Sequence, residues 1–306
     1  MPNYAHNIIP NTFVVGAQKS ATTSIYDWVA QHPEACGPLS LKDAPIFFNS
    51  ADIETSLKSI QPEYLASGFN SDTKVVLQGW VQYMYYPDAL INIRANSPRA
   101  KLIVVLRNPI DRAISAYRFF RKLGREHLSF RDALDCEPER QNGTFEERND
   151  LTYVDHGLYV SQLKELFKTF ESQNVFITFF DDVQERPHAV VADLYRFLDL
   201  DSDFKPDLSA QNITGSQRFP WLDRALLRPS PARRFIVRHL VDPIFPLHRR
   251  TQLRWKLRSW NTIPSTSESA DDFAIERGIL RERFYGEILD LENLLGVSLE
   301  NWKQSN

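Results

Sequence analysis

The sequence predicts an α/β protein, with a central parallel β-sheet flanked by helices on both faces. Three observations carry that expectation. Short runs at 11–16, 101–106 and 175–180 are apolar without polar alternation, the pattern of strands covered on both faces. Stretches with helical apolar spacing lie between them, so strand and helix alternate along the chain. Glycine, proline and asparagine stand where the runs hand over to helices.

In chain order, Asn11 to Gly16 is a buried strand that delivers the chain into a tight loop, and Ile25, Trp28 and Val29 continue as a helix that stops at His32-Pro33. A second strand is expected at Lys74 to Leu77 and a third at Lys101 to Leu106. The next helix starts with Asn108 as cap, Pro109 in its first position and Asp111 in its first turn. Leu163, Phe167 and Phe170 mark a helix beginning near Gly157, which feeds a strand from Val175 to Phe180. Pro187 opens a helix with the stripe Val190, Leu194, Phe197 and Leu198. A longer stripe, Leu280, Phe284, Ile288, Leu291 and Leu295, ends at Gly296. The tract 215–269 is rich in Pro, Arg and Trp with weak periodicity, and reads as a basic helical or looped insertion or flap.

Composition narrows the function classes. The chain has 306 residues, 42% hydrophobic and 25% charged, so a folded core is expected rather than disorder. A net charge of -3 argues against a general nucleic-acid binder. The charge is unevenly spread: 218–258 carries a net charge of about +9, which suits either solvated helix faces or an anionic surface. Two cysteines, Cys36 and Cys136, cannot build a disulfide framework. Met1 to Pro10 lacks a basic region followed by an apolar stretch, and no apolar run reaches the ~18 residues of a membrane span. A cytoplasmic location is therefore expected. The seven histidines form no ligand cluster, so no metal is expected.

Two strand-to-helix corners carry the chemistry. In the first, Gly16, Ala17, Gln18, Lys19, Ser20, Ala21, Thr22, Thr23 and Ser24 precede a helix. A helix N-terminus offers unpaired N–H groups, small residues let the backbone close on oxygens, hydroxyls add donors and one lysine adds a mobile charge. The alternative is a capped helix whose Ser and Thr serve only their own backbone. A Walker loop places its lysine six residues past the first glycine, whereas Lys19 lies three past Gly16. In the second corner, Arg107 stands at a strand tip and Ser115 lies less than two turns into the following helix. Arg107 either forks onto a second phosphate or pairs with a carboxylate such as Asp111. In a parallel sheet both corners share the carboxyl edge, where ligands bind, so a ligand with two separated phosphates is implied.

At this point the residues resemble the family of sulfotransferases that use 3′-phosphoadenosine-5′-phosphosulfate (PAPS), and within it the bacterial branch akin to heparan sulfate sulfotransferases. Val15 to Tyr26, followed by Gln31-His32-Pro33, resembles the family's 5′-phosphosulfate loop. Leu102 to Tyr117 resembles its 3′-phosphate motif, RxPxxRxxSxY. His156-Gly157-Leu158-Tyr159, Phe180-Asp181-Asp182 and the terminal stripe through Trp302 match weaker features. The resemblance covers nearly the whole chain and implies a P-loop-like sulfotransferase fold in one domain, 1–306, with 215–269 as an insertion within it. It further implies PAPS as co-substrate, PAP as product, and an acceptor alcohol or amine that is a small molecule, a carbohydrate or lipid-like. Lys19 would meet the phosphosulfate and its bridging oxygen, Gly16 and Gln18 to Ser24 would hold the 5′ end, and Arg107 and Ser115 the 3′-phosphate.

The departures matter as much. Ala21 stands where glycine is usual, Ser24 where cytosolic members often carry an adenine-stacking Trp, and no Lys-Gly-Arg loop is evident, which leaves Arg218 or Arg258 to help at the 3′ end. Asp43 is the available base in Leu41 to Phe48, one residue out of register with the family's acidic position. It is either that base or a turn aspartate before Pro45. Where relatives carry a Glu-Lys-Thr-Pro-like segment, Gln78 to Tyr83 lacks the lysine and offers Trp80, as an acceptor wall or as core. Two rival readings remain open: a kinase or NTPase whose metal aspartate would be Asp181, and a non-catalytic nucleotide binder.

Overall fold

The computed structural model describes residues 8–208, 215–217, 262–264 and 273–304. Five strands form the main sheet: β1 (Thr12–Gly16), β2 (Ala35–Cys36), β3 (Val75–Gly79), β4 (Lys101–Leu106) and β5 (Val175–Phe179). Their order is β2-β3-β1-β4-β5 and every pairing is parallel. The expected α/β class therefore holds. All three unalternating apolar runs are strands, and the last ends one residue early because Phe180 opens a helix.

The twofold period of the strands explains why both faces are covered. Phe13 and Val15 on β1, with Leu102, Val104 and Leu106 on β4, join one core cluster, while Val14, Ile103 and Val105 join another. α1 (Thr22–Ala30) packs on the second face; α2 (Ile53–Ala66), α3 (Pro87–Asn96) and α4 (Pro109–Lys122) pack on the first. Short helices α5 (Phe130–Asp135), α6 (Glu137–Gln141) and α7 (Phe145–Asp150) lead to α8 (Tyr159–Thr169) on the first face. After β5 come α9 (Phe180–Glu185) and α10 (Pro187–Phe197), whose Val190, Val191 and Leu194 close the second face. The long helix α11 (Ala274–Leu295) returns Leu280, Phe284, Ile288 and Leu291 to the first face, and α12 (Glu300–Gln304) follows. Gly296 ends α11 at φ 66°, a left-handed C-cap that suits glycine.

The tract 215–269 enters and leaves through an antiparallel ribbon, β6 (Gly215–Gln217) against β7 (Thr262–Pro264). The residues between, with Arg218 and Arg258, lie outside the described residues. Cys36 and Cys136 are both free thiols. His32 is structural: its Nδ1 accepts from the Glu34 N–H (3.1 Å), its Nε2 faces the Asp201 carbonyl (3.2 Å), and its ring sits against Tyr195 and Phe204.

His156 is the second buried histidine. Burial, with the Arg112 charge beside it, pushes its imidazole down to about 3. The fold keeps the ring neutral, whereas an unfolded chain takes a proton near pH 6.5. Stability from this side chain is therefore complete above about pH 6.5 and is lost progressively toward pH 3. Urea unfolding between pH 7 and 4 should show a shallower loss for His156→Gln than for the parent chain; parallel losses would refute the assignment.

Candidate functional site

Strand order locates the site. From β1 the chain runs outward to β2 and β3, then crosses back to β4 and on to β5. The connections leave in opposite directions after β1 and after β4, which are hydrogen-bonded neighbours, so a crevice opens at their carboxyl ends. The two corners found in the sequence are the two sides of that crevice.

The first corner is a loop rather than a capped helix start. Lys19 and Ala21 have positive φ, 68° and 60°. The residue where the family usually has glycine thus keeps a glycine-like backbone, at a modest cost in strain for alanine. Ala21 is the N-cap of α1 and contributes no side-chain cap, and no acid lies in the first turn. Among the described residues, the N–H groups of Ser20, Thr22 and Thr23 donate to nothing, and Ser20 Oγ is buried without a partner. A buried orphan donor is rare, and one set beside unpaired N–H groups at a helix N-terminus fits an anion. Glycine at 16 has a packing reason: a Cβ there would lie 2.4 Å from the Met84 Sδ.

The second corner touches the first. Arg107 donates through Nη1 to the Lys19 carbonyl (3.0 Å), and its guanidinium lies 4.2 Å from the Phe180 ring centre. Its own carbonyl accepts from the Tyr159 hydroxyl (2.9 Å), which gives the His-Gly-Leu-Tyr segment its part in the site. Burial lowers the Arg107 guanidinium from its ordinary value, with Asp111, Tyr159 and Asp181 opposing that shift. Asp111 pairs instead with Arg277 (3.0 Å), and Arg107 forms no ion pair among the described residues. A half-buried cation without a counter-ion is poised for an anionic ligand.

Helix α4 carries the remaining groups. Asn108 caps it, accepting from the Ile110 N–H (3.0 Å). Asp111, Ser115 and Phe119 recur at four-residue spacing and so share a face. The Lys19 Nζ stands 3.9 Å over the Phe119 ring, which shows that this face turns toward the first corner. Ser115 is half-buried there, and its hydroxyl makes no hydrogen bond among the described residues. Arg112, the second arginine of the motif, is fully buried and donates to the Tyr153 carbonyl, a scaffold role. Arg277 brings a cation to this corner that the sequence reading missed; its signal was only an arginine in the first turn of a long helix.

The proposed base lies on the β3 side. Asp43 is exposed and paired with the buried Lys42, at 2.9 and 3.0 Å. Gln78 Nε2 holds that loop through the Leu41 and Ala44 carbonyls, at 3.2 and 2.6 Å. A Cβ at Gly79 would stand 2.9 Å from the Lys42 carbonyl, so the loop takes the space a side chain at 79 would need. Trp80, open between acceptor wall and core, is 7% exposed and belongs to the core. Asp181, the metal ligand of the kinase reading, instead accepts from Trp302 Nε1 (3.2 Å) and Asn301 Nδ2 (3.3 Å). Trp302 also packs edge-on to Phe179 and accepts from Asn108 Nδ2 (3.3 Å), bracing the second corner from behind.

Comparison with known proteins agrees with this geometry. The chain resembles the bifunctional heparan sulfate N-deacetylase/N-sulfotransferase 1 of Caenorhabditis briggsae, 24% identical over 200 residues, which is 63% of this chain and 23% of that protein. It is 32% identical over 111 residues to heparan sulfate glucosamine 3-O-sulfotransferase 6 of Homo sapiens, 35% of this chain and 30% of that one. The chain thus spans about a quarter of the length of the curated relatives it matches. Among solved structures, a sulfotransferase from Alicyclobacillus acidocaldarius superposes with a TM-score of 0.65 at 24% identity, covering 97% of this chain and 100% of that one. That likeness gives the fold, the P-loop-like sulfotransferase architecture. The sulfotransferase domain family itself matches residues 10–246, well over half of the sequence, and the chain belongs to that family.

Proposed function

We propose that the chain transfers the sulfuryl group of PAPS to a hydroxyl or amine of a small-molecule, carbohydrate or lipid-like acceptor, releasing PAP. The observation that carries this reading is the Arg107–Lys19 contact, which joins two anion-seeking corners at the carboxyl ends of neighbouring strands, as a doubly phosphorylated nucleoside would require. The loop from Gly16 through Gln18 to Ser24 would hold the 5′ end, with Ser20 Oγ and the N–H groups of Thr22 and Thr23 as donors. Arg107 and Ser115 would hold the 3′-phosphate, with Arg277 close by.

Sulfuryl transfer parallels phosphoryl transfer, so the residues act mainly by positioning and by meeting charge on the leaving oxygen. The S–O bond to the donor's phosphate breaks as the acceptor oxygen bonds to sulfur, and the acceptor proton passes to a base. Lys19 and the α1 N-terminus would stabilise the leaving group. Asp43, exposed at the β3 side of the same edge, would take the proton, with Lys42 holding its carboxylate in place.

Thermal melting tests the donor reading without knowledge of the acceptor. PAP at a hundredfold excess over its Kd should add about 2.7 kcal/mol of stability. ADP and Mg-ATP at equal concentration should add less, because neither places a phosphate on the 3′ position. Stabilisation by Mg-ATP beyond that by PAP would overturn the proposal.

A further inference from the structure

A cleft of about 540 Å³ lies between residues 85–88 and 148–162, with Phe48 on one side. Each wall is fastened to one corner of the site. Met84, in the turn before Tyr85, packs on Gly16, and Gly157 packs against Pro109 so closely that a Cβ at 157 would lie 3.1 Å from its ring. The cleft therefore adjoins the crevice on the same edge of the sheet.

Its lining combines three aromatic residues, Phe48, Tyr85 and Tyr86, with three charged ones, Asp88, Arg148 and Asp155, and further rings back the aromatic side. Tyr86 and Trp80 lie parallel, 4° apart at 5.7 Å, and Phe48 stands edge-on to both, at 4.9 and 5.3 Å. Phe145, 43% exposed, extends the cluster outward beside Tyr86. Rings that lock one another in this way form a wall that loses little freedom when a ligand lies along it.

Among the described residues, Arg148 is the only cation lining the cleft. Its backbone is fixed, the carbonyl accepting from Thr152 Oγ1 (2.7 Å) and facing His156 Nε2 (3.2 Å). The side chain is half-buried beside the Tyr86 hydroxyl, with Nε enclosed and without a partner, and it forms no ion pair among the described residues. Neighbouring arginines differ: Arg125 pairs with Asp150, and Arg140 with Glu126 at 2.7 Å. The acids of the cleft form no ion pair with it among the described residues: Asp155 accepts from the Tyr85 hydroxyl, and Asp88 is exposed in the first turn of α3. A planar fork left without a counter-ion beside an aromatic wall matches a carboxylate on a ring-bearing molecule. A single cation seats one carboxylate and leaves the repeated charges of a polyanionic sugar chain without partners.

We propose that this cleft is the acceptor subsite, and that it takes a small hydroxylated acceptor with an aromatic or apolar ring and one carboxylate. The ring lies along Phe48 and Tyr86, and the carboxylate pairs with Arg148. This rests on the sulfuryl-transfer reading above. The acceptor oxygen forms the new bond to sulfur, PAP leaves with the electrons of the broken S–O bond, and the acceptor proton goes to the base.

The test uses the full chain, PAPS and three acceptors: 4-hydroxyphenylacetate, its uncharged methyl ester, and an unsulfated heparosan oligosaccharide. The carboxylate should exceed the ester in kcat/KM by ~10-fold or more, the scale of one charge-assisted hydrogen-bonded pair. Arg148→Met should raise KM for the carboxylate to the level of the ester while leaving the ester's KM and the KM for PAPS within about twofold of wild type. Equal use of acid and ester, an unaltered KM in Arg148→Met, or preference for the oligosaccharide would each overturn the proposal. Calorimetric titration with PAP separates the layers. PAP binding with no turnover of either aryl acceptor sinks the acceptor class alone, whereas no PAP binding sinks the donor reading and this inference with it.

Discussion

On the proposed reading, replacing Lys19 with alanine should lower kcat by ~100–1,000-fold, the usual cost of losing one donor aimed at developing charge. The effect should fall on kcat, because the Nζ would meet charge that builds only as the leaving oxygen departs. Ground-state binding keeps the loop amides, the α1 N-terminus and Arg107, so PAP affinity changes far less than turnover does. Folding is spared as well: Lys19 is only half-buried, and alanine inherits the same positive φ without a further penalty. What goes is the contact with Phe119, a cation–π pair worth about 0.5–1 kcal/mol at such a site. The rate of PAP release from PAPS with a turned-over acceptor is the measurement. A Lys19→Ala enzyme with parental kcat would remove Lys19 from the chemistry.

Arg107→Ala gives the second large effect, and it has a different signature. A charge-assisted hydrogen bond is worth about 1.5–3 kcal/mol, so PAP binding should weaken roughly 10- to 150-fold. Adenosine 5′-monophosphate, which lacks the 3′-phosphate, should lose much less. The variant should therefore discriminate poorly between the two nucleotides, where the parent is expected to prefer PAP. Some loss of kcat should accompany this, since Arg107 also holds the carbonyl of Lys19. Direct titration of both nucleotides checks the point. If the preference for PAP survives Arg107→Ala undiminished, the 3′-phosphate is bound elsewhere.

Both corners were legible in the sequence for a local reason. Each is a short apolar run, a small-residue or Asn-Pro break, and an amphipathic helix, and each of those signals spans only a few residues. Strand β2 leaves no signal because two residues carry no period, α2 has a proline, Pro62, inside it, and α3 buries only Ala89, Leu90 and Ile93. The contact between the corners could be argued from parallel topology, but the hydrogen bond from Arg107 to the Lys19 carbonyl bridges 88 positions and leaves no pattern in the chain. Arg277 was invisible for the same reason, reaching Asp111 from a helix beyond the insertion. The acceptor side was least legible. Phe48, Tyr86 and Arg148 come from three separate connections, and each reads in isolation as an ordinary loop or helix-end residue. Trp80, the aromatic that the sequence does single out, is the one the core absorbs.

The bracing tryptophan has a bearing on how the protein is made. Its carbonyl receives the Asn108 side chain across 194 positions, and its indole N–H reaches Asp181 across 121. A chain emerging from the ribosome can pair β1 with β4 early, yet the Arg107 corner stays unbuttressed until residue 302 has cleared the exit tunnel. Nascent chains halted short of that point should retain the sheet and bind PAP weakly, so competence for the donor arrives after the scaffold rather than with it.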